Sequence, residues 1–177
     1  ISRWTFTDQG VIKPRFGFGA VQNSCVCNIH THHVYWRLNF DLNTAGNNTV
    51  ADNLPTGDEL VISEGMRPRI DRLNQTFTIS NSVSGESLVL RPGPWDGNYD
   101  KYGKGDVWVL LNKAGEIDDG VTCTTCAAST INIAPFANGE STQDQDIVVW
   151  YGAHFNHING NVACGTAAGP DIEITKW

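Results

Sequence analysis

Apolar residues recur at every second position in two stretches of the chain, and both alternations run into histidine. The first stretch is Cys25 to Asp41, CVCNIHTHHVYWRLNFD. Successive side chains of a strand point to opposite faces, so residues two apart share one. His30, His32, Val34, Trp36, Leu38 and Phe40 therefore make one face. His33, Tyr35, Arg37, Asn39 and Asp41 make the other. The second stretch is Asp146 to His157, DIVVWYGAHFNH, where Ile147, Val149, Tyr151, Ala153, Phe155 and His157 share a face and His154 lies opposite. Two long strands are predicted, over 28–42 and 146–158, each with histidine at the end of its apolar face.

Shorter alternations and turn signals fill the rest. Trp4 to Phe6 and Val11 to Phe16 flank Asp8-Gln9-Gly10 and read as a hairpin. Further strands are expected over Glu59–Ser63, Gln75–Ser80, Glu86–Arg91, Asp106–Leu111 and Asp171–Trp177. Residues 91–105, RPGPWDGNYDKYGKG, read as a long loop, and Gly115 to Asn138 as a polar, small-residue connection. No segment holds a 3.6-residue period long enough for a substantial helix. Many short strands separated by turns predict an all-β antiparallel sandwich, and residues 1–177 read as a single domain.

Composition narrows the function classes. The 12 Lys and Arg against 19 Asp and Glu leave a formal charge of −7, which argues against a nucleic-acid partner. No apolar run approaches the roughly 20 residues of a membrane span. The opening ISRWTF already reads as strand, so either a leader has been removed or more protein lies upstream. Two Asn-x-Thr sequons, at Asn47 and Asn74, agree with a secreted, extracellular or periplasmic protein.

Five cysteines occur, at 25, 27, 123, 126 and 164. Neighbours on one strand face, Cys25 and Cys27 would be strained if bonded to each other. Disulfides to the remaining three are expected, which leaves one cysteine free or paired with another chain. A Cys-type zinc site is the competing reading.

Taken singly, each histidine could serve as a hydrogen-bonding core residue. An HxH with a third histidine in matching register on a second strand points instead to a metal site, because one ion satisfies all three rings. Imidazole suits copper, zinc, iron and nickel. A zinc hydrolase with three histidine ligands would use bound water of pKa near ~7 and an open fourth position.

These residues resemble the copper amine oxidase family. His30-Thr31-His32 stands five residues ahead of Arg37-Leu38-Asn39-Phe40-Asp41, similar to the family's HxH ahead of Arg-Leu-Asp-x-Asp. Asn138-Gly-Glu-Ser, Asp146 to Tyr151, and Phe155-Asn156-His157 resemble its later segment, in which a His seven residues after a Trp is the third copper ligand. Arg3-Trp4-Thr5-Phe6 with the Gly10 turn is similar to a third family strand. The matches fall in family order and leave 43–137 almost uncovered.

The resemblance implies a β-sandwich like a shortened copper amine oxidase catalytic domain, with copper held by His30, His32 and His157. It also implies a calcium-type site from Asn39, Asp41, Asp146 and the carbonyl of Ile147, oxygen donors of the kind calcium takes. Asn39 replaces a family Asp and removes one charge. Family activity, primary amine to aldehyde with peroxide release, needs topaquinone formed from the Tyr of an Asn-Tyr-Asp/Glu motif ahead of the Trp strand. This sequence has no such Tyr before Trp4, nor the family's catalytic Asp. Asn98-Tyr99-Asp100 spells the motif at another place, making Tyr99 the candidate precursor.

Two functions follow from the resemblance. One is the copper-bearing part of an amine oxidase, with an amine substrate, whose quinone segment is supplied elsewhere. The other is a non-catalytic copper-binding or structural extracellular module that forms a homo-oligomer or assembles with other chains.

Overall fold

Where apolar residues alternate, strands form. The computed structural model contains eleven among its described residues. They are β1 (Ser2–Phe6), β2 (Val11–Phe16), β3 (His30–Asn39), β4 (Asn48–Leu54), β5 (Gly57–Val61) and β6 (Gly65–Arg67), then β7 (Thr76–Asn81), β8 (Ser87–Arg91), β9 (Val107–Leu111), β10 (Ile147–His157) and β11 (Asp171–Lys176). The structure describes residues 1–17, 30–70, 74–97, 106–116, 133–157 and 168–177, with the backbone alone for His30, Asn156 and His157. All five cysteines and Tyr99 lie outside the described residues.

The strands make two antiparallel sheets. One has seven strands in the order β1-β2-β11-β8-β7-β4-β5, the other four in the order β3-β10-β9-β6. Between them sits the main core. Val50, Phe77, Ile79, Leu88, Leu90 and Ile172 from the larger sheet meet Leu38, Val107, Val109, Ile147, Val149, Tyr151, Ala153 and Phe155 from the smaller. Each such fully buried aliphatic or phenyl side chain contributes roughly 1.5–3 kcal/mol. The apolar faces read from the sequence for β3 and β10 are the ones that face this core.

Three features depart from the sequence reading. β3 ends at Asn39 rather than Leu42. A turn follows it, in which Asn43 and Asn47 take left-handed backbone. The buried amide of Asn48 donates to the carbonyls of Thr44 and Ala45, and that of Asn81 to Leu42. β4 was not expected as a strand, because two of its three inward positions are the polar Asn48 and Asp52. Finally, β9 and β10, the two inner strands of the four-stranded sheet, are buried on both faces. Ile133 and Phe136, beside a short 3-10 turn at Ala134–Phe136, cover Trp108, Leu110, Val148 and Trp150 on its outer side.

Candidate metal centre

β10 runs antiparallel to β3 over ten paired positions, from Val148 opposite Asn39 to His157 opposite His30. Directly opposed residues of an antiparallel pair share a face. His30 and His157 are therefore paired positions of the ladder on its core-side register, and His32, opposite Phe155, is two places along that register. The ring of His32 stacks on Phe155 at 5.3 Å between centroids. This register brings together, at one end of the sheet, the three histidines singled out in the sequence. Among the described side chains no group of three or more His, Cys, Asp or Glu is placed to hold a metal. The side chains of His30 and His157 are outside that set, and for the three histidines together the structure describes the backbone register.

His33 and His154 form a second opposed pair on the outer face. Their rings stack at 5.4 Å. His154 is buried, and its Nε2 lies 3.2 Å from Asp106 Oδ1. One position along each strand from His32 and Phe155, this pair lies on the opposite face of the ladder from the three-histidine register.

At the far end of the same two strands lie the residues of the implied calcium site. Asn39 and Asp41 are exposed, and Ile147 begins β10 directly after Asp146. Asp146 Oδ2 accepts from Asn112 Nδ2 at 3.3 Å, and Arg37 Nη2 donates to Asn112 Oδ1 at 2.7 Å. Asp146 Oδ1 is buried and finds no hydrogen-bond partner among the described residues. An ionised oxygen so placed is costly unless a cation or donor meets it, which fits an oxygen-coordinated cation there.

A group of buried charged residues was not visible in the sequence. Arg69 is 0% exposed and Asp96 likewise, while Asp106 is 2% exposed. Asp96 accepts from the backbone N–H of Gly93 and of Gly169 and from the hydroxyl of Tyr151, each at 2.7 Å. Burial pushes the Tyr151 hydroxyl well above its ordinary range. The Arg69 guanidinium sits 5.0 Å from the Tyr151 ring. These residues are separated by tens of positions and form no motif. The one sequence signal is that Asp96 and Asp106 stand beside apolar or Gly/Pro-rich runs, where a charge must find a partner.

Two glycines let this group pack against β10. Gly97 has φ +68, and a Cβ there would lie 2.7 Å from both Nδ1 and the carbonyl of His154. A Cβ at Gly152 would lie 2.9 Å from the Tyr35 ring. Side chains at either place would push β10 away from its neighbours.

The fold is that of a known class of proteins: an antiparallel two-sheet sandwich matching copper amine oxidase catalytic domains. No family model matches the sequence, and no curated protein matches it. Solved structures do. A copper-containing benzylamine oxidase from Hansenula polymorpha aligns over 97% of this chain and 36% of its own, with a TM-score of 0.69 at 14% identity. An Aspergillus nidulans amine oxidase aligns over 97% and 32%, with a TM-score of 0.68 at 15% identity. A Pichia pastoris lysyl oxidase aligns over 96% and 32%, with a TM-score of 0.66 at 12% identity. The chain spans about a third of the length of these proteins. At such identities the likeness is one of fold.

Proposed function

We propose that residues 1–177 form a copper-binding β-sandwich of the amine oxidase type, with His30, His32 and His157 as the ligands. The observation that carries this reading is the register placing His30 opposite His157, with His32 on the same face. Three neutral imidazoles fit copper or zinc; the fold likeness to a copper-containing oxidase favours copper over a zinc hydrolase. Bound there, copper would supply one-electron and oxygen chemistry. His30, His32 and His157 would hold it, and the stack of Phe155 on His32 would fix that ring.

Amine oxidation belongs to this reading if a quinone is present. Asn98-Tyr99-Asp100 spells the family's precursor motif and makes Tyr99 the candidate; it lies outside the described residues. The reaction would take a primary amine, oxygen and water to aldehyde, ammonia and hydrogen peroxide. Without that Tyr in place the protein would be a copper-binding extracellular module, assembling with itself or with other chains. Among the described residues no helix is long and apolar enough to cross a membrane. A secreted setting agrees with the exposed sequon at Asn74.

The second metal of this reading is calcium at Asn39, Asp41, Asp146 and the Ile147 carbonyl. Its support is the buried Asp146 Oδ1, which has no hydrogen-bond partner among the described residues. Metal analysis of the purified protein after loading, with copper, zinc and calcium quantified together, tests both sites. One copper per chain, lost in His157→Ala, and one calcium, lost in Asp146→Asn, is the expected result. Absence of any transition metal from the loaded wild type would overturn the copper site.

A further inference from the structure

We infer that Arg69, acting with Asp96 and Asp106, is a positioning residue that holds the end of β10 carrying His157. The inference rests on the copper reading for its purpose, though not for its test. Pairing of β10 with β9 stops at Tyr151 opposite Val107. Beyond that point the same side of β10 is taken over by this group. Gly152 N–H donates to the carbonyl of Asp106 at 2.5 Å, and His154 N–H to the carbonyl of Asp96 at 3.1 Å. The Gly152 carbonyl accepts from Arg69 Nη1 at 2.6 Å. The buried guanidinium thus stands where a further residue of β9 would otherwise stand.

Arg69 uses its remaining donors to fix the groups that do the holding. Nε donates to the carbonyl of Gly97 at 2.8 Å and Nη2 to that of Asp96 at 2.7 Å. Nη2 lies 3.5 Å from Asp106 Oδ1, and the Arg69 backbone N–H donates to Asp106 Oδ2 at 2.7 Å. Asp106 Oδ1 also meets His154. A flat fork of five N–H donors can satisfy acceptors on three separate segments at once, which the single ammonium of Lys cannot do. Burying a charge is costly unless it is fully partnered, and apolar packing would do where bulk alone is wanted. The carbonyls used belong to β10 and to the 96–97 loop that abuts it, three residues short of His157.

Loss of the fork leaves residues 152–157 held chiefly from the β3 side. Local opening of that strand end is then expected to rise, and the third imidazole to wander from its position. The test uses the full chain with Arg69→Lys and Asp106→Asn, the latter keeping the side-chain shape should the former fail to fold. Leu90→Ala, buried in the other sheet, serves as a control matched for loss of thermal stability. Amide hydrogen exchange of metal-free protein reads local opening. Exchange across 152–157 is expected to quicken about tenfold or more in both variants relative to the control. Copper affinity is expected to fall about 10- to 100-fold, as for other residues that orient ligands, with altered copper hyperfine splitting in electron paramagnetic resonance. Exchange across 152–157 no faster than in Leu90→Ala would overturn the inference. A wild type that binds no copper would overturn the proposed function alone, since the exchange comparison needs no metal.

Discussion

Asp52 faces inward from β4, between its cross-strand neighbours Glu59 and Phe77, and Gln75 Nε2 donates to it at 2.8 Å. Burial raises its carboxyl above the ordinary range, while the Gln75 hydrogen bond and the Arg67 charge act in the opposite sense and do not cancel it. A carboxyl raised by folding contributes stability that is fully present below its unfolded pKa. That stability is lost as pH rises through the folded value. Asp52→Asn keeps an oxygen for Gln75 and removes the buried charge. The urea midpoint of the variant should gain on that of wild type as pH climbs from acid to neutral, with the difference levelling off above the folded pKa. A constant difference across the series would mean that the charge of Asp52 does not matter to the fold. Arg69 makes the opposite case: a charge buried more deeply, yet met by an acceptor at each of its three nitrogens.

Among the elements, β3 and β10 were legible because each is a long run of β-branched and aromatic residues, and the period of two in a strand then assigns every side chain to one face or the other. Their histidine register followed from the same alternation. The neighbouring strand β4 was illegible for the converse reason, with Asn48 and Asp52 at buried positions where alternation demands apolar residues. The cover over the outer face of the smaller sheet was also hidden, since Ile133 and Phe136 lie in a short run, Ile-Asn-Ile-Ala-Pro-Phe-Ala over 131–137, too brief and too interrupted by Asn and Pro to show a strand or helix period. The Arg69 group left no motif, because the hydrogen bonds of the Arg69 side chain join residues 27 to 83 positions apart. Ile133 is 1% exposed and packs with Trp108 and Trp150 on that outer face. Ile133→Ala should cost about 2–5 kcal/mol by urea unfolding and leave metal content unchanged. A cost below about 0.5 kcal/mol, the scale of an ordinary surface substitution, would show that the cover is not part of the packed structure.

For the whole molecule, the two sheets do different work. The seven-stranded sheet supplies one wall of the core. The four-stranded sheet, whose inner strands β9 and β10 are buried on both faces, has the three histidines at one end of its β3–β10 ladder and Asp146 at the other. A strand buried on both sides and tied to its neighbours cannot slip by one residue without moving every core side chain outward. That rigidity is what a metal site needs from its scaffold. The central claim is therefore one of register: His32 belongs to the metal face and His33, the next residue, does not. Copper titration of wild type, His32→Ala and His33→Ala, followed by electron paramagnetic resonance, tests it most directly. The account predicts one tightly bound copper in wild type and in His33→Ala, with a loss of at least about 100-fold in affinity for His32→Ala, since removing a ligand should cost no less than removing its supports. Equal weakening in both variants, or loss in His33→Ala alone, would contradict it.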